Sequence, residues 1–138
     1  MSISRRDLAL LLPALAAGNG LPVLGSEAFP FDELPVRTNA SGTMKSRAVF
    51  NGITTRGQHL TMHISELAPG QSPHPPASQP HEEIIIVREG TLEVTLNGKK
   101  SVLGPGSIVY SAYNSYNGWK NVGATTAQYY VISLEEHT

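Results

Sequence analysis

The chain of 138 residues contains no cysteine, which excludes a disulfide framework, a cysteine nucleophile and a thiolate metal site. Charged residues make up only 15% and sum to a formal charge of −1, so nucleic acid, which needs a clustered basic face, is excluded as the main partner. No Gly-x-Ser-x-Gly elbow or phosphate-binding glycine loop is present. No long helical periodicity follows the first 20 residues, which leaves a single domain without nucleotide or hydrolase signatures.

Turn formers and β-branched residues are abundant instead. The sequence has 13 glycines and 10 prolines, and runs of Val, Ile, Thr and Tyr recur between them at roughly ten-residue intervals. Asn97-Gly98 lies between two such runs and is a strong signal for a two-residue hairpin. The pattern predicts an all-β sandwich or barrel.

The N-terminus has the order of an export signal: paired arginines, a short apolar run from Leu8 to Ala17, and the small-residue site Ser26-Glu27-Ala28. The stretch "SRRDLAL" resembles a bacterial twin-arginine signal, and the apolar run is too short to cross a bilayer. We expect a cleaved leader over residues 1–28, an N-terminal arm over 29–44 and a barrel over 45–138. The mature protein is then exported to the periplasm with no stable membrane span.

Two strands carry candidate functional residues. In "GQHLTMHISEL", the alternation places His59 and His63 on one face, which we expect to point outward; on an inward face, His63 could bind or protonate a ligand. In "EEIIIVRE", one of the adjacent carboxylates is expected in solvent and Glu83 in the interior. There Glu83 could act as a general acid or base, or it could simply pair with Arg47 or Arg88.

The spacing of glycines around these strands resembles the cupin family. Gly70, Glu83 and Gly90 fit its first motif, and "LGPGSIVYSAYNSYNGWKN", with Asn121, fits its second. Over about residues 45–134 the resemblance implies a double-stranded β-helix, or jelly-roll, cupin barrel. The histidines that bind metal in this family fall on Ala77, Gln79 and Asn117.

These departures predict weak or no transition-metal binding, because amides are poor ligands for such ions and alanine is none. The alternative is a shifted site for a divalent transition metal. Its ligands would be His63, His74, His81 and Glu83.

Two functions compete on this basis. The first is the binding of a small organic ligand in the barrel cavity through Gln79, His81, Glu83, Tyr113 and Asn117. The second is an oxygenase, isomerase or lyase of the kind that the resemblance implies, using the shifted metal site or Glu83 as acid and base. Whether the chain is an enzyme is left open.

The apolar run also predicts a partner. Ile84 and Ile86 alternate with Glu83 and therefore occupy the outer face of the barrel. That face needs cover from the arm or from a second subunit, so we expect a homodimer. Trp119, Tyr129 and Tyr130 are expected to pack between the sheets or in that interface.

Overall fold

A computed structural model describes residues 20–135, and these residues form an all-β domain. One 3-10 turn, Phe31–Glu33, precedes the first strand. The strands are β1 Val36–Thr38, β2 Met44–Ile53, β3 His59–Leu67, β4 Ala77–Ser78, β5 Glu82–Glu89, β6 Leu92–Leu96, β7 Lys99–Leu103, β8 Ile108–Ser111, β9 Tyr116–Asn121 and β10 Ala127–Glu135. Within residues 20–135, no helix is long and apolar enough to cross a membrane.

The strands form two antiparallel sheets. The larger sheet has six strands in the order β1-β2-β3-β10-β5-β8, and the smaller has four in the order β4-β9-β6-β7. Strands distant in sequence, such as β3 and β10, are therefore neighbours, as expected for a jelly roll. The predicted fold class is confirmed.

The predicted hairpin joins β6 to β7. Asn97 and Gly98 have φ angles of 49° and 85°, the left-handed conformation that a two-residue turn between twisted strands requires. This turn fixes the register of the pair, in which Leu92 lies opposite Leu103 and Leu96 opposite Lys99.

The main core lies between the two sheets, where alternate residues of each strand point inward. On β5, Ile85 and Val87 are buried, whereas Ile84 and Ile86 on the opposite face are only half-buried. Trp119 and Tyr129 belong to this core and contact each other edge to face, with ring centroids 5.8 Å apart. Tyr130 packs instead against a second cluster on the outer face of the large sheet.

The segment before β1 covers part of that outer face. Leu34 is buried there with Val49 and Ile64, and the Phe29 ring lies 6.0 Å from that of Phe50. This packing removes part of the outer apolar surface from water, which is the main source of stabilisation available to such a segment.

Polar side chains continue the same surface beneath Phe31. The guanidinium of Arg47 lies 4.5 Å from the centre of the Phe31 ring and that of Arg88 lies 5.3 Å from it. Arg47 also pairs with Glu66 at 2.9 Å, while Arg88 donates to Gln128 Oε1 at 2.6 Å. Phe31 therefore covers a charged network on the outside of the barrel.

Residues Pro22 to Leu24 also contact the sheet. Leu24 N donates to Ile53 O at 2.7 Å, and Ile53 N donates to Pro22 O at 2.8 Å. A β-carbon added to Gly52 would lie 2.6 Å from Pro22 O, so the two segments are in close contact. These contacts lie within the leader expected over residues 1–28, most of which falls outside the described residues.

Candidate functional site

Polar side chains converge at one end of the space between the sheets, where β5 and β9 begin and β8 and β10 end. We call this region the polar end. It comprises His63, His81, Glu83, Ser111, Asn117, Ser133 and, at its surface edge, Glu135. The main apolar core occupies the rest of the interior, so the candidate site lies at this end.

Asn117 and Glu83 form the centre of the polar end. Asn117 is 1% exposed and Glu83 7% exposed, and Asn117 Nδ2 donates to Glu83 Oε1 at 3.1 Å. The same nitrogen donates to Ser111 Oγ at 2.9 Å. Asn117 Oδ1, the other end of the amide, is buried without a hydrogen-bond partner. Since a buried unpaired acceptor costs about 1–3 kcal/mol, the site has capacity for a donor.

His81 lies between two carboxylates. Its Nε2 is 3.6 Å from Glu83 Oε2, and its Nδ1 is 3.3 Å from Glu135 Oε2. The three side chains lead from the partly exposed Glu135 at the surface to the buried Glu83. A proton could pass along such a line, because imidazole can accept at one nitrogen and release at the other.

His63 faces the interior, so the expectation of an outward orientation was wrong. It pairs with Val131 of β10, and Ser65 and Leu67 on the same face of β3 are fully buried. Burial lowers the pKa of His63, and the nearby Glu83 carboxylate opposes this only in part. Alternation alone could not show which face was inward, because both faces of β3 contact apolar residues. His59 lies nearer the strand end and hydrogen-bonds Asn51 Oδ1 at 2.7 Å.

The pairing of Glu83 with Arg47 or Arg88 was also wrong. Arg47 pairs across the strands with Ile64 of the outer cluster, and Arg88 lies on the face of β5 opposite Glu83. The two arginines contact Glu66 and Gln128 instead. Within residues 20–135, the His81 imidazole lies beside the Glu83 carboxylate in place of an arginine.

Of the predicted ligand-binding residues, His81, Glu83 and Asn117 are in contact. Gln79 lies close by, and its backbone carbonyl accepts from Asn114 N at 2.9 Å, which ties β4 to the turn after β8. Tyr113 is 55% exposed in that turn.

Ser111 and Glu135 belong to the site but were not predicted from the sequence. Ser111 could have been found, since it alternates with Val109 and so shares the buried face of β8.

The second asparagine of the motif has a different environment. Asn121 is fully buried, and its Nδ2 donates to Leu67 O at 2.9 Å and Thr125 O at 2.8 Å. Its Oδ1 accepts from Gly123 N at 2.9 Å. Asn121 thus satisfies backbone groups of a turn and is a structural residue.

The chain is a jelly roll of two sheets with a carboxylate and an amide buried between them, the architecture of a small β-barrel domain. The sequence model described as "Cupin domain" matches residues 63–133, and the chain belongs to this family. Curated protein sequences give no significant match.

Solved structures with similar folds include several cupins. An RmlC-like cupin from Shewanella frigidimarina superposes with a TM-score of 0.65 at 18% identity, covering 80% of this chain and 93% of its own. KdgF from Halomonas sp. gives 0.67 at 18%, covering 81% and 96%. The polyketide cyclase RemF from Streptomyces resistomycificus gives 0.62 at 19%, covering 82% of each chain. At these identities the likeness concerns the fold.

The residues present do not fit the metal that the family resemblance implies. Ala77 pairs with Asn117 across β4 and β9 and offers no donor, and Asn117 offers an amide already bonded to Glu83. His74 lies against Trp119, at 5.7 Å between ring centroids, and its Nδ1 bonds Pro75 O at 2.8 Å. Within residues 20–135, no group of three or more His, Asp or Glu side chains is arranged to hold a metal ion. The alternative site of His63, His74, His81 and Glu83 stays a prediction.

Proposed function

We propose that this cupin binds a small organic molecule at the polar end of its barrel and holds no transition-metal ion tightly there. The observation that carries the proposal is the buried, unpartnered Asn117 Oδ1 beside the Glu83 carboxylate. Native proteins rarely leave such an acceptor unpaired, and a ligand hydroxyl or amine would satisfy it. The amide and alanine that replace the family's histidines support the absence of a firmly bound metal.

The test is a fragment screen by ligand-observed NMR on the tag-free protein, followed by titration of the hits. Asn117→Leu removes the acceptor and donor of the polar end. Asn114→Gly removes an exposed amide from the turn next to it, where the φ of 61° suits glycine. Hits that bind at the polar end lose affinity with Asn117→Leu and keep it with Asn114→Gly. Equal affinity in both variants would contradict the proposal, as would a stoichiometric metal that depends on Glu83.

A second candidate is a metal-free acid–base enzyme, favoured by the position of His81 between Glu83 and Glu135. Glu83 would exchange a proton with the bound molecule, and His81 would connect it to the surface. The polyketide cyclase among the similar structures is an enzyme with a similar fold. The test is to recover the bound compound after incubation: the native chain returns it chemically altered, and Glu83→Gln returns it unchanged. If the native chain and Glu83→Gln both return the compound unchanged, the enzyme proposal is contradicted and only the binding function remains.

We further propose export to the periplasm, on the twin-arginine-like N-terminus. The test is fractionation of cells that express the full chain, with Arg5→Lys/Arg6→Lys as the variant that should retain it in the cytoplasm. Periplasmic recovery of that variant in equal amount would contradict export by this route.

We also propose a homodimer through the outer face of β5 and β8. Ile108 is 68% exposed and Tyr110 56% exposed, and they lie opposite the half-buried Ile86 and Ile84. Such an apolar strip is typical of an interface. Light scattering should give twice the protomer mass, and Ile108→Lys should reduce it to one. A native chain that scatters as a monomer would contradict the proposal.

A further inference from the structure

The charge of the polar end restricts its ligand. Two carboxylates, Glu83 and Glu135, flank the single imidazole of His81. The acidic groups of this trio therefore outnumber the basic one. Glu83 is largely removed from water, so its charge is poorly screened and interacts strongly with any ligand beside it.

No other group in the described residues offsets this charge. Burial lowers the pKa of His63, so that its imidazole is neutral near pH 7. None of the lysines and arginines within residues 20–135 is buried. The half-buried Arg47 is paired with Glu66 on the outer face, and Arg88 lies on that face too. Within residues 20–135, a carboxylate or phosphate ligand would find no lysine or arginine at the polar end.

The hydrogen-bonding groups agree with the charge. Asn117 uses both hydrogens of Nδ2 on Glu83 and Ser111, and Oδ1 remains as an unpaired acceptor on a side chain that is 1% exposed. The reversed amide would place Oδ1 against the Glu83 carboxylate, which is unfavourable, so this orientation is the stable one. Asn117 Oδ1 and the Glu83 carboxylate are therefore the acceptors that a ligand meets at the polar end, and they call for a ligand that donates. The unpaired Trp119 Nε1 and Ser65 Oγ lie beside Tyr129 in the core.

We propose that the ligand of the polar end is a small organic cation that carries N–H donors, a primary ammonium compound, held by Glu83 and Asn117. The inference rests on the binding function proposed above and adds the chemical class. An ammonium group has three donors and no acceptor, which complements the unpaired Asn117 oxygen and the carboxylate together. A bond to an ionised partner is also stronger than a neutral one.

Three probes of matched size separate the possibilities: ethanolamine, ethylene glycol and glycolate, which are cationic, neutral and anionic near neutral pH. NMR titration at low ionic strength should give the tightest binding for ethanolamine, by about tenfold over ethylene glycol. Glu83→Gln keeps the shape and the acceptor for Asn117 but removes the charge. This variant should weaken ethanolamine about tenfold and leave ethylene glycol within about twofold.

Glu82→Gln is the matched control, because it removes a carboxylate from the neighbouring position on the opposite face of β5, and ethanolamine affinity should be retained. Glu135→Gln, at a half-buried position, gives a second variant should Glu83→Gln unfold, and it should weaken ethanolamine in the same direction.

Each other result overturns the charge inference. Ethylene glycol binding as tightly as ethanolamine, with both lost in Asn117→Leu, would leave the binding function intact and exclude the cation. Tightest binding of glycolate would contradict the inference directly. If neither Glu83→Gln nor Glu135→Gln changes the affinity for ethanolamine, ethanolamine binds elsewhere on the protein and the inference is overturned. Failure of ethanolamine to bind overturns the inference as well, while the fragment screen still decides the binding function.

Discussion

Asn117 Nδ2 donates to Glu83 Oε1 at 3.1 Å, and this bond joins the small sheet to the large one inside the barrel. Because both side chains are buried, the carboxylate depends on a neutral amide and on His81 for its polar contacts. The amide is therefore a sensitive position.

Replacing Asn117 by Asp should destabilise the fold near neutral pH by about 3 kcal/mol, because it sets two buried carboxylates against each other. Acidification should recover part of the loss, since one carboxyl can then hold a proton between the two. Urea unfolding near neutral pH and at about pH 5 measures both effects. Asn114→Asp, in the exposed turn, should cost less than about 0.5 kcal/mol; similar losses in the two variants would exclude the buried contact as the cause.

His63 should make stability depend on pH. Burial lowers its pKa in the folded state below the ordinary 6.5, so the unfolded chain takes up a proton first as the pH falls. Stability from this residue is therefore fully present above about pH 6.5 and declines below it, down to the folded pKa. Unfolding free energies measured across this window should fall less steeply in His63→Gln than in the native chain. His59→Gln retains His63 and should keep the native slope; an unchanged slope in His63→Gln would refute the assignment.

Gly90 should resist substitution more than Gly57, although both have φ above 80°. A β-carbon at Gly90 would lie 2.7 Å from Ala127 Cα and 3.0 Å from Thr126 O, whereas at Gly57 it would meet nothing within 4 Å. We expect Gly57→Ala to cost about 1 kcal/mol from the backbone conformation and Gly90→Ala about 3 kcal/mol or more from the added clash. Chemical denaturation of the two variants gives the comparison, and equal costs would show that the strands separate easily at this point.

The contacts of Pro22 and Leu24 with β2 give a prediction about the mature chain. A chain beginning at Phe29 loses two backbone hydrogen bonds to Ile53 and should be less stable than one beginning at Gly20 by about 1–3 kcal/mol. Thermal denaturation of the two chains measures this. Intact-mass analysis of the exported protein then shows whether cleavage follows Ala28 or an earlier position. Equal stabilities would mean that these residues contribute nothing to the barrel.

The sequence predicted the barrel because its signals are local. Asn97-Gly98 demands a left-handed turn, and the alternation on β5 divides Ile85 from Ile84, so the hairpin and the buried face follow directly. The position of Glu83 in the interior followed from the same alternation.

The partners of Glu83 were harder to predict, because they come from strands far apart in sequence. Asn117 and Ser111 meet Glu83 through the pairing of β5 with β8 and the closure of the two sheets. Glu135 reaches His81 from the last described residue of β10. The orientation of His63 depends on the arm, which covers the opposite face of β3, that of Met62 and Ile64. The sequence of β3 alone does not show this cover.

The two asparagines of the second motif act independently of each other. Asn121 bonds through its side chain only to main-chain groups, at Leu67, Gly123 and Thr125, and so closes the barrel independently of the polar end. Asn117, four residues earlier on β9, bonds through its side chain to Glu83 and Ser111. A substitution at Ala77 or Asn117 therefore alters the polar end but leaves in place the bonds by which Asn121 closes the barrel at this turn.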